Sequence, residues 1–384
     1  MRIGIDANWA IYENAGIGKY TQNLIRSLLE TDTKNQYVLY FNFFRHFKER
    51  KSQVYDLIAN SKTLVEIEIS KMPAAWKEWL TQTNFPITKL LKKEVDVYHT
   101  PFFAGVAKNG FPKTVVTLHD LVFEYFPEHR GDKLSQYYLN RTKLAIEKSK
   151  KIIAVSESTK NDLIKNLNVN PDKIGVIYEG VNKNFHPIED KTLLDKKISK
   201  YLATRKYILS VGTLEPRKNL VKLVKAYALL PNPIKRKYKL VLTGKQGWNN
   251  SELEKTISNL NLKDKILKTG YIPDEDLPYL YAGASVFVYP SLYEGFGLPP
   301  LEAMACGVPV VTSNISSLPE VVGEAGLKVN PYKEEEIALA IKKILVWEKL
   351  ATSLRQKSLE RAKVFSWEKT ARETVKIYKE ANKS

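Results

Sequence analysis

Two doubly wound α/β domains in tandem are the architecture that this sequence predicts. Short apolar, β-prone segments alternate with helical segments over most of the chain, which is typical of parallel sheets covered by helices. The alternation pauses at the polar, turn-rich segment 179–187 and then starts again. A chain of 384 residues is long for one hydrophobic core, so we interpret the pause as a linker between two domains.

The predicted elements follow from apolar runs and their periodicity. In the first half the predicted strands are 3–7, 37–43, 95–99, 114–118, 151–155 and 174–178, and the segment 18–30 is helical by pattern. In the second half the predicted strands are 207–211, 239–243, 266–269, 286–289 and 308–312. A further helix is expected to open at Pro299-Pro300 and to end at Gly307.

Composition indicates an ordinary soluble globular protein, with 43% hydrophobic and 27% charged residues. A strand at the first residues leaves no room for a signal peptide, and no apolar run has transmembrane length. The single cysteine, Cys306, fits a reducing compartment, so a cytoplasmic location is expected. The five histidines are scattered without metal-ligand spacing, so no metal is expected.

The chain is strongly basic, with 60 Lys and Arg against 42 Asp and Glu and a formal charge of +18. Such a surplus favours nucleic acid, anionic membrane or phosphorylated ligands. The alternative is a solvated surface, because the charge is dispersed along the chain. No nucleic-acid-binding motif accompanies the charge, so nucleic acid is not an expected partner.

Three basic, aromatic or amphipathic segments, 41–50, 76–80 and 89–93, are candidates for a membrane-facing surface. Such faces can lie on anionic headgroups, which would place the protein at the inner face of the membrane. The alternative is an aromatic core stripe flanked by solvated lysines.

Candidate functional residues follow the predicted strands of both halves. Ligands of doubly wound sheets bind outside the carboxyl ends of the strands, and four loops lie there: 7–18, 119–120, 212–219 and 294–298. We expect a cleft between two facing domains to gather all four.

The first of these loops contains Gly16-Ile17-Gly18. Glycines here would permit positive φ and a close approach of the backbone to a phosphate or sugar. A plain tight turn explains the same residues, and the full dinucleotide fingerprint is missing, which disfavours an NAD enzyme.

Arg217 and Lys218 follow the strand 207–211 and precede a helical segment. A guanidinium fork and a mobile ammonium are suited to neutralising a diphosphate. The alternative is a solvated basic helix start. Cations at a helix N-terminus oppose the helix dipole, so a local anion would explain them better.

His119 and Asp120 end an apolar strand. A histidine in this position is either a satisfied structural residue or a donor to a sugar hydroxyl, in which case Asp120 would orient nearby groups.

Glu294 and Glu302 are the most informative pair in the chain. They flank a glycine loop and a Pro-Pro helix start directly after a predicted buried strand. Beside an anion site of this kind, carboxylates are expected to bind sugar or ribose hydroxyls. Glu302 has an alternative explanation, because the helix dipole stabilises it without a ligand. Paired carboxylates also occur in glycoside hydrolases, but there both flank one bond.

The run from Ser291 to Gly326 resembles the signature of family 4 retaining glycosyltransferases with the GT-B fold. The resemblance extends to further segments: Gly16-Ile17-Gly18, 117–120, 153–158, Val211-Gly212 with Arg217-Lys218, and 365–367. The resemblance implies two Rossmann-like domains, 1–183 and 184–366, with a terminal helix 367–384 that crosses back to the first.

The resemblance also implies roles for individual residues. Glu294 would contact donor-sugar hydroxyls near the reacting centre, and Glu302 would bind the ribose. Arg217 and Lys218 would neutralise the leaving diphosphate, and His119 would contact the sugar or stabilise the transition state. The remaining donor-binding candidates are the backbone amides of Phe296, Gly297 and Leu298, the loop residues Gly212 and Ile272, and Gly16 and Gly18, which would line the acceptor side.

Two segments depart from the commoner family pattern. Gly244-Lys245-Gln246-Gly247 replaces a tighter glycine pair, which leaves the base preference open, and Glu179-Gly180 replaces the frequent Asn-Gly. The segments 213–219 and 117–120 are similar to those of bacterial polysaccharide mannosyltransferases.

The expected activity is therefore metal-independent, retaining transfer of a hexose to a glycan or lipid-linked acceptor in surface polysaccharide or glycoconjugate synthesis. GDP-mannose is the preferred donor, and no cofactor is expected beyond this donor substrate. Replacing Glu294 by alanine is expected to abolish transfer and leave the fold intact. The alternatives are a UDP-sugar-dependent glucosyl or N-acetylglucosaminyl transferase, a phosphorylase, hydrolase or epimerase on the same fold, and a non-catalytic basic binder of nucleic acid or membrane.

Overall fold

The computed structural model describes residues 1–12, 16–43, 45–90, 92–126, 131–204, 206–247 and 250–383. The chain divides into two compact units, Met1–Gly180 with Ser366–Ser384, and Val181–Phe365. Phe44 and residue 91, which belong to two of the predicted membrane-facing segments, lie outside the described residues, as do residues 13–15 of the first candidate loop.

The first unit is built on a parallel sheet. Its strands are β1 Arg2–Asp6, β2 Gln36–Asn42, β3 Val65–Ser70, β4 Val97–Thr100, β5 Thr114–Leu118, β6 Lys151–Ala154 and β7 Ile174–Val176. In the described residues they form a seven-stranded sheet in the order β3-β2-β1-β4-β5-β6-β7. Its helices are α1 Trp9–Tyr12, α2 Gly16–Thr31, α3 Phe47–Ile58, α4 Ala74–Gln82, α5 Val122–Tyr125, α6 Asp132–Lys148 and α7 Glu157–Leu167.

The second unit repeats the plan. Its strands are β8 Tyr207–Val211, β9 Lys239–Thr243, β10 Ile266–Gly270, β11 Val286–Tyr289, β12 Val310–Ser313 and β13 Gly326–Val329. Within the part of the chain described they form a six-stranded sheet in the order β10-β9-β8-β11-β12-β13. Its helices are α8 Lys191–Ile198, α9 Leu220–Ala228, α10 Asn232–Lys237, α11 Ser251–Asn259, α12 Leu277–Ala282, α13 Leu298–Ala305, α14 Leu318–Val322, α15 Glu334–Val346 and α16 Glu348–Ala362.

The predicted strands are present because their apolar runs are buried on both faces of the sheets. Every residue of β5 and of β11 is buried, as expected of central parallel strands that helices cover on both sides. Two strands were not predicted, β3 and β13, and both lie at an edge of their sheet. In β3, Glu66 and Glu68 alternate with apolar residues, so this strand lacks the continuous apolar run of a central strand.

Each sheet has one point at which its strand order reverses. The reversal falls between β1 and β4 in the first unit and between β8 and β11 in the second. Connections leave such a point in opposite directions, so a crevice opens at the carboxyl ends of the two strands, and ligands of open α/β sheets bind there.

The last helix, α17 Trp367–Lys383, belongs to the first unit, as the resemblance implies. Tyr378 is fully buried in this helix, and its hydroxyl lies 2.7 Å from Nδ1 of the buried His99 on β4. At the start of α17, the Thr370 hydroxyl donates to the carbonyl of Tyr178 at 2.7 Å. The helix is therefore fixed by buried polar contacts as well as by its apolar face.

The aromatic segments differ in their environment. Phe41 and Phe43 are buried, so the core interpretation holds for this part of the chain. Trp76 and Trp79 on α4 are 67% and 64% exposed, so the core interpretation is wrong for that helix. In the described residues, no helix has the length and apolar character needed to cross a bilayer.

Candidate active site

The crevice between β8 and β11 contains a buried cluster of charges centred on Glu294. Its Oε1 accepts hydrogen bonds from Lys218 Nζ and Ser291 Oγ at 2.6 Å and from the Tyr289 hydroxyl at 2.9 Å. Its Oε2 lies 2.9 Å from the Arg217 guanidinium. The predicted cations and the predicted carboxylate are thus in direct contact, although they are far apart in the sequence.

Glu294 is held in its ionised form. Burial alone would raise the pKa of Glu294, but the charges of Arg217 and Lys218, with hydrogen bonds from Lys218 and Ser291, lower it to about 2. A carboxylate of this kind has no proton to give at neutral pH. It is therefore unsuited to act as a general acid.

The two cations lie in a short 3₁₀ turn, Pro216–Lys218, just before α9. Arg217 also contacts Glu215, with its Nη2 2.6 Å from Oε1 of that carboxylate. Burial and the charge of Arg217 lower the pKa of Lys218, whereas Glu294 and Glu215 oppose this shift. The anion that was inferred from the unfavourable helix-start position is therefore supplied within the chain, by Glu215 and Glu294. A ligand is not needed to explain these cations.

Side-chain contacts fix the two loops that carry the cluster. Asn219 donates from Nδ2 to the carbonyls of Pro290 and Pro331, at 3.1 and 2.7 Å. The backbone N–H of Leu292 donates to the carbonyl of Arg217 at 2.9 Å. These contacts join the loop after β8 to the loop after β11, so the cations and Glu294 are held at fixed positions relative to one another.

The glycine loop leads directly into α13, as the sequence predicts. Gly297 has φ of 123° and lies just before Leu298, the first residue of the helix. Pro299 and Pro300 carry no N–H, so the remaining donors at this end belong to Leu298 and to the preceding loop residues. The Ser317 hydroxyl donates to the carbonyl of Glu294 at 2.9 Å, which fixes the loop from the side of α14.

A second group of loops lies beside the cluster at the carboxyl ends of β8, β9 and β10. Gly212 and Gly244 have φ of 147° and 144°. A Cβ on Gly244 would lie 2.0 Å from the carbonyl oxygen of Gly212, so the two backbones can approach this closely only with glycine at position 244. Ile272, just after β10, is buried. The predicted donor-binding residues Gly212 and Ile272 thus both lie at the carboxyl ends of strands of the second sheet.

Glu302 lies on α13, and its contacts differ from those of Glu294. Its Oε2 accepts a hydrogen bond from the Tyr281 hydroxyl at 2.8 Å. Burial and the neighbouring Glu302 charge raise the pKa of Tyr281 well above its usual value, so Tyr281 remains a donor. The two glutamates therefore have separate partners, and the ribose role of Glu302 stays a prediction.

In the first unit, His119 is fixed at the end of β5. Its Nε2 lies 3.0 Å from the carbonyl oxygen of Pro101, and a carbonyl can only accept, so Nε2 carries hydrogen. Its Nδ1 lies 3.5 Å from Oε1 of Glu179. The Tyr20 ring contacts the imidazole edge-on, with centroids 4.7 Å apart. Asp120 accepts from the backbone N–H of Val122 at 3.1 Å.

The Gly16-Ile17-Gly18 segment does not have the predicted conformation. Both glycines lie in the first turn of α2, and neither has positive φ. A Cβ on Gly16 would meet no heavy atom within 4 Å. The expectation of positive φ is wrong for these two residues, and their role at the acceptor side stays a prediction.

Several residues of the site were not predicted from the sequence: Glu215, Tyr289, Ser291, Ser317 and Glu179. Tyr289 is the last residue of β11 and Ser291 follows it closely. Polar side chains at a carboxyl-terminal strand end were therefore an available signal. Glu179 was assigned to the linker, but it is buried. Among the described residues, no cluster of three or more potential metal ligands occurs.

Two parallel sheets with reversal points, together with a terminal helix returned to the first unit, define the GT-B class of α/β fold. Anabaena HepE, solved in complex with UDP and glucose, has this fold, with a TM-score of 0.73 over 98% of each chain and 18% identity.

Family profiles and relatives are consistent with this class. The profile described as glycosyltransferase family 4 matches residues 15–185, and the profile described as glycosyl transferases group 1 matches residues 193–361. O-antigen chain mannosyltransferase B of Escherichia coli is 38% identical over 74% of this chain and 74% of its own length. The serotype-specific mannosyltransferase WbdA of Escherichia coli is 35% identical over 72% of this chain, and the match covers 35% of WbdA. The chain belongs to the group 1 glycosyltransferases.

Proposed function

We propose that this glycosyltransferase moves mannose from GDP-mannose, with retention of configuration, to a glycan or lipid-linked acceptor of surface polysaccharide synthesis. The observation that carries the proposal is the buried cluster of Arg217, Lys218 and Glu294 at the reversal point of the second sheet. The choice of mannose is supported by the names of the relatives, which include mannosyltransferases of O-antigen synthesis.

The cations are suited to a leaving diphosphate. Lys218 donates to Glu294 and Tyr289, and an ammonium has three hydrogens, so one remains for a phosphate oxygen. As the bond to the sugar breaks, negative charge grows on the diphosphate. A fixed cation in a buried site stabilises that charge without reorganisation. In this proposal, Arg217 and Lys218 supply the positive charge, and no metal ion is required.

The state of Glu294 bears on the stereochemistry. Its Oε1 accepts three hydrogen bonds and its Oε2 faces Arg217, so its lone pairs are largely engaged and it is a poor nucleophile. We therefore propose same-face attack of the acceptor within a short-lived ion pair, rather than a covalent glycosyl-enzyme intermediate. Glu294 orients the sugar and Lys218, and Glu302 with the loop amides of 296–298 binds the nucleotide portion.

A thermal-shift panel with GDP, UDP and ADP sugars tests the donor. A ligand that binds the folded state at 100 times its Kd stabilises it by about 2.7 kcal/mol, so GDP-mannose is expected to raise Tm clearly. Lys218→Met, which removes the charge and keeps most of the side-chain length, is expected to reduce this shift. A preference for UDP sugars would instead support the second candidate, a UDP-sugar-dependent transferase. HepE, one of the fold neighbours, binds UDP and glucose.

A lipid-linked acceptor would require contact with a membrane surface, and α4 is suited to it. Trp76 and Trp79 are exposed on this helix, and the chain carries a charge of +18. Indole rings of this kind partition to the headgroup region. We expect co-sedimentation with phosphatidylglycerol vesicles to fall in the Trp76→Ala, Trp79→Ala variant. The control is Trp347→Ala, which removes an exposed tryptophan of the second unit; an equal loss in the control would count against a role for α4.

A further inference from the structure

Glu179 has a buried carboxyl group with few polar partners. Glu179 is 5% exposed. Its Oε1 lies 3.5 Å from Nδ1 of His119, which is longer than an ordinary hydrogen bond. Within the described ranges, no hydrogen bond reaches its carboxyl oxygens. A carboxyl group of this kind can accept about four hydrogen bonds, so its oxygens keep acceptor capacity for a ligand.

The backbone on both sides of Glu179 is packed against the start of α17. A Cβ on Gly180 would lie 2.2 Å from the backbone nitrogen of Trp367, so the chain passes this close to the start of α17 only with glycine. On the other side, Thr370 Oγ1 donates to the carbonyl of Tyr178. The terminal helix thus fixes the backbone of residues 178–180, from which the Glu179 side chain extends.

His119 does not depend on Glu179 for its orientation. Its Nε2 is engaged with the carbonyl of Pro101, and Tyr20 packs against its ring. In addition, its own carbonyl accepts a hydrogen bond from the Thr159 hydroxyl at 3.0 Å. A purely structural function, in which Glu179 holds the imidazole, therefore adds little to the existing contacts.

The position of Glu179 matches a ligand-binding edge. His119 directly follows β5 and Glu179 follows β7, so both lie at the carboxyl ends of the first sheet, where ligands of such sheets bind. A hydroxyl both donates and accepts. With its single hydrogen, a sugar hydroxyl bound at this edge would donate to a carboxyl oxygen of Glu179, which accepts no other hydrogen bond among the described residues.

We propose that Glu179 is a hydroxyl-binding residue that accepts a hydrogen bond from one sugar hydroxyl of the substrate. This inference rests on the proposed function, because it takes the substrate to be a sugar. The donor sugar and the acceptor sugar present the same hydroxyl chemistry, and the two series of analogues below distinguish them. Asparagine at this position would give a weaker acceptor.

The test measures kcat/KM with substrates that lack one hydroxyl at a time. One series of monodeoxy analogues alters the mannosyl group of GDP-mannose, and a second alters the acceptor. In the wild type, loss of the contacted hydroxyl is expected to lower kcat/KM by roughly 10- to 100-fold, as for a hydrogen bond to a charged group. In Glu179→Ala, the activity with the complete substrate is lower, and that one analogue causes no further loss.

The series that contains the affected analogue identifies the donor or the acceptor as the source of the hydroxyl. Glu189→Gln, a change at an exposed glutamate, serves as the control and is expected to keep the wild-type pattern. If Glu179→Ala loses the same factor as the wild type with every analogue, Glu179 has only a structural role and the proposal is wrong.

Calorimetric titration with methyl α-mannopyranoside and its monodeoxy analogues provides a test that is independent of turnover. Absence of transfer from any nucleotide sugar would contradict the proposed function, whereas the titration would still examine the hydroxyl contact. Binding that is weakened by Glu179→Ala and insensitive there to one hydroxyl supports the inference. Unchanged binding and unchanged discrimination in both assays overturn it.

Discussion

Replacing Glu294 by glutamine tests whether the charge of this residue, rather than its shape, holds the candidate site together. The amide keeps nearly the same volume and can still accept hydrogen bonds from Ser291 and Tyr289. It removes the negative charge that faces Arg217 and Lys218 in a buried crevice. Because two buried cations then lose a counterion, the variant is expected to be less stable than the wild type at neutral pH.

The magnitude follows from the pKa of Glu294, which is lowered from 4.5 to about 2 in the folded protein. This shift corresponds to about 3 kcal/mol of stability at neutral pH. Because the folded-state pKa is the lower one, the contribution is complete above pH 4.5. It is lost as the pH falls from 4.5 to about 2. The stability difference between wild type and Glu294→Gln should therefore shrink over that window.

Urea denaturation followed by circular dichroism, at pH values from 7 to 3, gives the difference directly. Glu254→Gln is the matched control, because it breaks a contact with Lys268 on the surface of the same unit. An exposed pair contributes at most about 1 kcal/mol, so this control should differ little from the wild type. A Glu294→Gln protein as stable as the wild type at pH 7, or a difference that does not change with pH, would refute the electrostatic account.

The remaining predictions concern other buried contacts. Gly180→Ala should destabilise the protein strongly, because the added Cβ would lie 2.2 Å from the backbone nitrogen of Trp367; an unchanged Tm would contradict this packing. Burial and the nearby His119 lower the pKa of His99 from 6.5 to about 3, so the unfolded chain binds a proton first as the pH falls. About 2 kcal/mol should be lost between pH 6.5 and 5, and His99→Phe should lack this slope in urea denaturation. Glu302→Gln should weaken nucleotide binding and reduce the preference for ribose over 2′-deoxyribose, as measured by calorimetry. An unchanged preference would show that Glu302 does not bind the ribose.

The structure also changes one earlier expectation about Glu294. From the sequence, Glu294→Ala was expected to leave the fold intact, because the residue lies in a loop. In the structure it is the common partner of two buried cations, so its removal is expected to affect stability as well as transfer. Activity measurements on any Glu294 variant therefore need a stability measurement beside them.

Much of the fold was predictable because central parallel strands have a simple sequence pattern. The runs at 114–118, 207–211, 239–243 and 286–289 were predicted with the bounds that the structure has. Each is a continuous apolar segment, since helices cover both faces of the sheet. The edge strands β3 and β13 were missed because they are partly solvated and charged residues interrupt their apolar runs, so their pattern resembles that of a loop.

The location of the candidate site followed from the sequence, since parallel sheets bind ligands at the carboxyl ends of strands. The pairing of its residues was not. Arg217 and Glu294 belong to loops after different strands, and no local sequence pattern predicts that their side chains are in contact. Glu179 shows the same limit: a polar, turn-rich segment was interpreted as linker, whereas the close approach of Gly180 to Trp367 buries it.

The most direct test of the central claim is a transfer reaction with GDP-mannose and an oligosaccharide acceptor of the O-antigen type, in the presence of a chelator. The product is examined by NMR of its new anomeric centre. The account predicts mannosyl transfer without added metal, with the anomeric configuration of the donor retained, and loss of that transfer in Lys218→Met. An inverted product, a requirement for a divalent cation, or transfer from UDP sugars in preference to GDP-mannose would contradict it.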